Sequence, residues 1–476
     1  MIHKFKQGDL YFVLDVNSGA VHVIDEIVYD VLEIYPKLNP IGVIRELKEK
    51  YPEAQLKEAI DDIDYLIEED MLLTDDTYVN SIEFQNRSPV IKALCLHIAH
   101  DCNLRCEYCF ASQGDFEGDR SMMSLDVGKR ALDLLIQYSG NRRNLEVDFF
   151  GGEPLMNFDV VKELVTYGRS LEKENNKHFR FTITTNGVLL SDDKIAYINE
   201  HMDNVVLSID GRKEVNDKMR YTLTGGGSYD TIVPKFKKLV EQREGKTYYV
   251  RGTYTRENLD FSEDVFHMAD LGFNSTSVEP VVTEPHLPYA LQEEDIPLLN
   301  AQYDAIAEEL IKRHNAGNPF NFFHFAIDLA QGPCVIKRLT GCGAGSEYIA
   351  VTPQGDIYPC HQFVGNEHFL MGNVMSGILD FGLTSEFKNA HVYNKKKCRD
   401  CWAKFYCSGG CHANAYNFNN DIYLPYDLGC ELEKKRIESS IYVYSKINAQ
   451  NEDNIEKEAS ELKIEIDDLS SRGGAI

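Results

Sequence analysis

The cysteines constrain this chain more than any other feature. Twelve are present, at 95, 102, 106, 109, 334, 342, 360, 398, 401, 407, 411 and 430, and none falls between Cys109 and Cys334. Thiols gathered into two stretches do not make an evenly spread disulfide framework. The N-terminus, Met1 to Asp9, lacks the apolar core of an export signal, so the expected address is cytoplasmic. Disulfides are disfavoured there. Clustered thiols in a reducing compartment are expected to be metal or iron–sulfur ligands.

Charge narrows the partners. The chain carries 49 Lys and Arg against 76 Asp and Glu, a net charge of −27. Nucleic acid and anionic lipid both need a basic face, so neither is an expected partner. No stretch approaches the ~18 apolar residues of a membrane span. A chain of 476 residues, 43% hydrophobic and 26% charged, is expected to fold into several globular domains.

Residues 1–85 read as one domain. The runs Leu10–Val16 and Val21–Ile24, joined at Asn17-Ser18-Gly19-Ala20, predict a hairpin. Three helical patterns follow, with Ile27, Val31, Leu32 and Tyr35, then Ile41, Ile44 and Leu47, then Leu56, Ile60, Ile63, Leu66 and Ile67 on their inner faces. Hairpin and helices together resemble a winged-helix module. Residues 1–80 hold 7 Lys and Arg but 18 Asp and Glu, which is unsuited to DNA. Such a module can instead bind a peptide by adding a strand to its hairpin edge, or serve as a structural cap.

Residues 77–90 are polar and read as a linker. Between 91 and 315 strands and helices alternate. Strands are expected at Ile91–Ala99, Leu145–Phe150, Phe179–Thr185, Val205–Ile209, Tyr248–Thr255 and Ser277–Val282, with helices near 123–139, 158–174, 191–201, 229–243, 257–271 and 294–315. The pattern predicts an α/β fold, a partial (β/α)6 TIM-like barrel with its chemistry at the carboxyl ends of the strands. Residues 330–432 show poor periodicity and hold eight cysteines, so metal staples are expected in place of a large core. Residues 433–476 read as a C-terminal helix and tail, with a charged stretch at Glu452–Asp468.

Cys102, Cys106 and Cys109 form a C-x3-C-x2-C motif directly after the first barrel strand. Three thiolates leave one corner of a [4Fe–4S] cube open, as catalytic metal sites require. A zinc site or three unrelated thiols are the alternatives. The motif resembles the signature of the radical S-adenosylmethionine (radical SAM) superfamily, and the likeness extends over 91–315. It implies that the open iron binds the amino and carboxylate groups of SAM. It further implies that an electron cleaves SAM to a 5′-deoxyadenosyl radical, which takes a hydrogen atom from the substrate.

Three further loops fit the resemblance. Gly151-Gly152-Glu153-Pro154 ends the second strand, where the glycines admit close approach and Glu153 would receive the methionine ammonium. Thr184-Thr185-Asn186-Gly187 ends the third, with Thr185 and Asn186 as polar partners of SAM. Ser208-Ile209-Asp210-Gly211 ends the fourth, where Ser208 and Asp210 resemble a ribose contact. Arg220 would pair with the SAM carboxylate, and Tyr108 is placed for adenine. Taken singly, each loop is ordinary turn chemistry.

The later cysteines resemble the SPASM extension found behind such barrels. That resemblance implies two auxiliary [4Fe–4S] clusters, three clusters in all. Cys398, Cys401, Cys407 and Cys430 would close one, and Cys342, Cys360 and Cys411 would hold the other. The remaining corner falls either to Cys334 or to a substrate thiolate, which iron would keep deprotonated. A zinc ribbon is the alternative. Cys95 reads as a core residue. His97, His100, His361 and His412 read as locally bonded, Trp402 as a shield, and Asp210, Glu279 and Asp356 as unranked proton acceptors.

The three modules together resemble maturases of ribosomally made peptides, most of all those of the six-cysteines-in-forty-five-residues (SCIFF) peptides. The expectation is a thioether synthase that binds a cysteine-rich precursor peptide through its N-terminal domain and takes electrons from a donor. A substrate sulfur would join a carbon radical, with the auxiliary clusters accepting the surplus electron. The alternatives are a sulfatase-maturase-like oxidation of protein cysteine to formylglycine and, from other classes, an iron–sulfur-switched regulator or a redox carrier.

Overall fold

The computed structural model describes the chain apart from residues 36, 81–89, 328, 330–338 and 473–476 and the side chains of 80, 378 and 450–472. It forms two compact units, Met1–Asp75 with Tyr303–Gly332 and Lys435–Ile476, and Asp76–Gln302 with Pro333–Lys434.

In the first unit, β1 (Ile2–Gln7), β2 (Leu10–Asp15) and β3 (Val21–Ile24) make an antiparallel sheet in that order. The expected hairpin is β2–β3. The extra strand β1 hides in the sequence because its apolar residues, Ile2 and Phe5, are three apart and break the period of two. Asp15 pins the turn: its carboxylate accepts from the N–H groups of Ser18 at 2.9 Å and Thr74 at 3.1 Å. Helices α1 (Glu26–Ile34), α2 (Pro40–Leu47) and α3 (Glu53–Glu68) follow. Asp25 caps α1 and Asn39 caps α2, each accepting from a first-turn N–H. Val13, Val31, Leu32, Val43, Leu56, Ile60 and Ile63 share one core. Ile41, expected inside, is 78% exposed, and Val43 takes the inner place. On the sheet's other side, Phe12 meets Tyr442 edge-on.

In the second unit, β4 (Ala93–His100) is followed by the short strands β5 (Leu104–Cys106) and β6 (Ser121–Met122). Helix and strand then alternate: α4 (Leu125–Tyr138), β7 (Asn144–Gly151), α5 (Phe158–Asn175), β8 (His178–Thr185), α6 (Asp192–His201), β9 (Asn204–Ser208), α7 (Lys213–Met219), β10 (Arg220–Thr222), α8 (Tyr229–Glu241), β11 (Thr247–Tyr254), α9 (Phe261–Asp270), β12 (Ser275–Pro280) and α10 (Ile296–Asn315). The strands β4, β7, β8, β9, β11 and β12 lie side by side in that order, all parallel. Each new strand adds on the same side, which curls the sheet one way as in a partial barrel. Leu94, Leu96, Val147, Phe149, Phe181, Ile183, Val205 and Leu207 are buried, and alternation turns Cys95, His97, Asp148 and Thr184 to the other face.

Beyond the short β13 (Asn321–Phe322), β14 (Tyr348–Val351) runs parallel to β4 on its free side, with Ala350 opposite Cys95. The strands β15 (Asp356–Tyr358), β16 (Gly372–Asn373) and β17 (Ile378–Leu379) continue antiparallel. Helices α11 (Phe381–Asn389), α12 (Lys396–Arg399), α13 (Lys404–Cys407), α14 (His412–Asn419) and α15 (Asp427–Arg472) complete the chain. Little core was expected after residue 330, yet Tyr358, Phe363, Phe369, Phe387, Ala413 and Ile422 form one. Phe363, Phe369 and Phe387 pack ring against ring, which the irregular spacing of the sequence conceals. Among the described residues no helix is long and apolar enough to cross a membrane.

Candidate active site

Four loops leave the carboxyl ends of four consecutive parallel strands, and they are the loops that carry the sequence motifs. The cysteine loop follows β4. Its β5 segment pairs with β10 so that Arg220 lies opposite Cys106. The N–H of Cys109 donates to the Cys106 carbonyl at 3.2 Å. Cys102, Cys106 and Cys109 are close enough to feel one another's charge. Burial pushes the Cys102 thiol up to about 11 and the Cys106 thiol up to about 12, with Arg220 opposing the rise at both. Thiols held protonated in this way give up their protons when they bind iron.

Gly151 and Gly152 make room for this loop. Gly151 has φ +119°, and a Cβ there would sit 2.3 Å from the Ala99 carbonyl oxygen; one at Gly152 would sit 2.2 Å from that of Asp101. The missing side chains thus let the chain's own backbone pass close. Gly152 N–H donates to Ala99 at 2.8 Å and Glu153 N–H to Asp101 at 2.9 Å.

Glu153 is fully buried. Its carboxylate accepts from the Thr185 hydroxyl at 2.7 Å, the Asn186 N–H at 2.8 Å and the Leu155 N–H at 3.0 Å. The residue expected to meet an ammonium thus joins the second loop to the third. Asn186 continues the link: its amide donates to Asn103 Oδ1 at 2.8 Å and reaches Cys102 Sγ at 3.6 Å.

Tyr108, Asp210 and Arg220, read from sequence as separate contacts, form one buried group. The Tyr108 hydroxyl lies 2.7 Å from both oxygens of Asp210 and accepts from Arg220 at 2.9 Å. Asp210 also accepts from the Thr253 N–H at 3.0 Å. Ser208, at the end of β9, is half-buried opposite Arg251.

The barrel lining holds a carboxyl group that sequence reasoning passed over. Asp148 stands on β7 between Cys95 on β4 and Thr182 on β8, and accepts from the Thr184 hydroxyl at 3.3 Å. It is half-buried, and the loss of water around it pushes its pKa up to about 7. The signal was a carboxylate amid the apolar residues of Leu145–Phe150. Of the unranked acceptors, Asp356 accepts from Asn373 at 2.7 Å and Glu279 lies 3.9 Å from Arg251.

The histidines are locally bonded. His97 and His100 share a 3.0 Å hydrogen bond, His361 meets the Tyr348 hydroxyl at 3.1 Å, and His412 meets the Ala390 carbonyl at 3.1 Å. Cys95 is fully buried.

The later cysteines gather into two groups. Cys342, Cys360 and Cys411 sense one another's charge, and so do Cys398, Cys401, Cys407 and Cys430. Cys334 lies outside the described residues. Among the described residues no three His, Cys, Asp or Glu side chains are close enough to grip one ion.

Comparison with known proteins agrees with this arrangement. Residues 92–234 match the 4Fe-4S single cluster domain, and residues 342–402 match SPASM, an iron-sulfur cluster-binding domain. The cysteine-type anaerobic sulfatase-maturating enzyme of Clostridium novyi is 26% identical over 357 residues, 72% of this chain and 92% of that protein. The structure of native anSMEcpe with bound AdoMet and Cp18Cys peptide matches with a TM-score of 0.63 at 18% identity, over 76% of this chain and 99% of that one. Streptococcus suis SuiB bound to S-adenosylmethionine gives 0.52 at 18%, over 90% and 98%. These relatives do not single out the SCIFF maturases. With both iron–sulfur domains matched in the order of its two cysteine stretches, this chain carries the fold and the iron–sulfur domains of radical SAM enzymes with a SPASM extension, and is related to several maturases.

Proposed function

We propose that this enzyme carries out a two-electron oxidation on a cysteine-bearing peptide or protein. The observation that carries the reading is a cysteine loop at the carboxyl end of β4 together with two further cysteine groups later in the same chain, each gathered in space. Cys102, Cys106 and Cys109 would hold the iron–sulfur cluster, which would supply the electron for reductive cleavage of SAM. The chain's own part is to hold and enclose. Glu153 and Asn186 lock three loops together around Cys102, and Tyr108, Asp210 and Arg220 brace the turn that carries Cys106 and Cys109. Cys398, Cys401, Cys407 and Cys430 would hold one auxiliary cluster and Cys342, Cys360 and Cys411 the other, with Cys334 or a substrate thiolate at its last corner.

Two chemistries fit this frame. Oxidation of a protein cysteine to formylglycine has the better support, since the sulfatase-maturating enzyme is matched over 92% of its own length. Thioether formation, of the SCIFF or a related kind, needs a precursor-peptide substrate, and one observation favours such a substrate. The anSMEcpe fold spans 76% of this chain and that of SuiB, a protein also seen with precursor peptide SuiA, spans 90%. This chain therefore carries structure beyond what a sulfatase maturase accounts for, including a sheet edge suited to a peptide.

Mass spectrometry separates the two after anaerobic incubation of the reconstituted enzyme with SAM, a reductant and each of two peptides. One is a cysteine-rich precursor and the other a sulfatase-derived cysteine peptide. Loss of two hydrogens with the sulfur blocked to alkylation marks a thioether. Exchange of sulfur for oxygen with loss of two hydrogens and a hydrazide-reactive carbonyl marks formylglycine. Abundant 5′-deoxyadenosine with neither product overturns the cysteine substrate and leaves the radical enzyme standing.

A further inference from the structure

Lys395 is a lysine with no exposed surface. Its neighbours Lys396 and Lys397 are exposed, as a run of three lysines leads one to expect. The Lys395 ammonium donates to the Gly409 carbonyl at 2.8 Å. Gly409 lies between Cys407 of one cysteine group and Cys411 of the other. Among the described residues no carboxylate pairs with Lys395. Burial pushes its pKa down, and the groups that oppose this are the thiols of Cys398, Cys407, Cys411 and Cys430, drawn from both groups. The contrast with Lys404 is direct: that buried ammonium has Asp76 at 2.8 Å.

A buried ammonium without an anion is unfavourable by several kcal/mol. At Lys395 the missing anion matches what thiolates on iron–sulfur clusters would bring. We propose that Lys395 is the fixed counter-charge shared by the two auxiliary clusters and raises their reduction potentials, most strongly that of the cluster on Cys398, Cys401, Cys407 and Cys430. Reduction adds a negative charge to a cluster, and a fixed cation beside it favours the reduced form. Three of the four thiols around Lys395 belong to that group, and it stands three residues before Cys398. Lys395 touches no substrate and acts through the clusters, so it is a positioning residue. The inference rests on the two-cluster reading above.

The test uses the full chain with Cys102, Cys106 and Cys109 replaced by alanine, so that only auxiliary clusters remain. Iron and sulfide are counted first, and the potentials are then read by EPR-monitored titration. Lys395→Gln is expected to load as the parent does and to lose at least tenfold in the reduction equilibrium, about 59 mV for one electron. Lys395→Arg keeps the charge and should stay within that margin. Full loading with unmoved potentials in Lys395→Gln overturns the inference alone. A parent chain that assembles no auxiliary cluster overturns the two-cluster reading together with it. Should Lys395→Gln fail to fold, pulsed EPR on the parent labelled with 15N-lysine decides. A nitrogen coupling on the reduced clusters that vanishes in Lys395→Arg supports the role, and no coupling overturns it.

Discussion

The Tyr108 hydroxyl lies 2.7 Å from each carboxylate oxygen of Asp210, tying the turn before Cys109 to the loop after β9. The same hydroxyl accepts from Arg220, whose backbone pairs with Cys106. One phenol thus stands between a buried anion and a buried cation, beside two cysteines of the catalytic loop.

Tyr108→Phe removes that link and leaves Asp210 and Arg220 short of a partner. Hydrogen bonds to charged groups contribute about 1.5–3 kcal/mol, so a fall in stability of about 2 kcal/mol is expected. The readouts are thermal unfolding and 5′-deoxyadenosine yield. The variant should also lose iron from the catalytic cluster faster than from the other two. Equal loss from all three would show that the phenol has no special bearing on this loop.

Asn186 makes a second such link, from β8 to Asn103 and Cys102. Asn186→Leu keeps the volume but cannot donate. It takes from the half-buried Asn103 oxygen its amide donor, at a cost of about 1 kcal/mol. SAM cleavage should slow while the iron held by Cys398, Cys401, Cys407 and Cys430 stays unchanged. Titration calorimetry with SAM and iron analysis read the two effects separately, and an unaltered SAM affinity and cleavage rate would contradict the linking role.

Asp148 gives a pH-dependent signature. Enclosure raises its folded pKa to about 7, above the ordinary carboxyl value. Between pH ~4 and ~7 the folded state therefore binds the proton that the unfolded chain has released. Its stabilising effect is present at low pH and lost as pH rises through about 7. The difference in unfolding temperature between Asp148→Asn and the parent should grow in favour of the variant from pH 5 to pH 8. A flat difference would mean that the carboxyl titrates normally.

The barrel was legible because its strands are apolar runs that end in distinctive loops, so each motif marked a strand's carboxyl end. What those loops do to one another was not legible. That Gly151 and Gly152 admit the Ala99 and Asp101 carbonyls could not be read, because sequence spacing does not show which loops meet. The strand β1 went unread because it is bonded to residues more than four hundred positions away, His3 to Glu438 at 2.9 Å and Gln7 to Ser439 at 3.2 Å. The strand β14 went unread because four residues are too few to show a period. Lys395 carries no local sign at all, since a run of lysines ordinarily faces water and only tertiary packing sets one of them inside.

The free edge of β3 supports a last prediction, which bears on how a peptide is held. β3 pairs with β2 from Val21 opposite Leu14 to Ile24 opposite Tyr11, and among the described residues no strand covers its other side. Val23 on this edge is 52% exposed. Backbone N–H groups along an edge strand point alternately to the paired and the open side, so of two consecutive residues one serves the sheet and one an added strand. Proline removes that donor. Comparing His22→Pro with Val23→Pro should therefore split two effects. One substitution should weaken binding of a labelled precursor peptide at least tenfold, about 1.4 kcal/mol, with little change in unfolding temperature. The other should mainly lower the unfolding temperature, because it breaks the ladder to β2. Fluorescence anisotropy and thermal unfolding of both variants read the outcome. If neither proline alters peptide affinity, the peptide is held elsewhere and the edge of β3 is only the rim of a structural module.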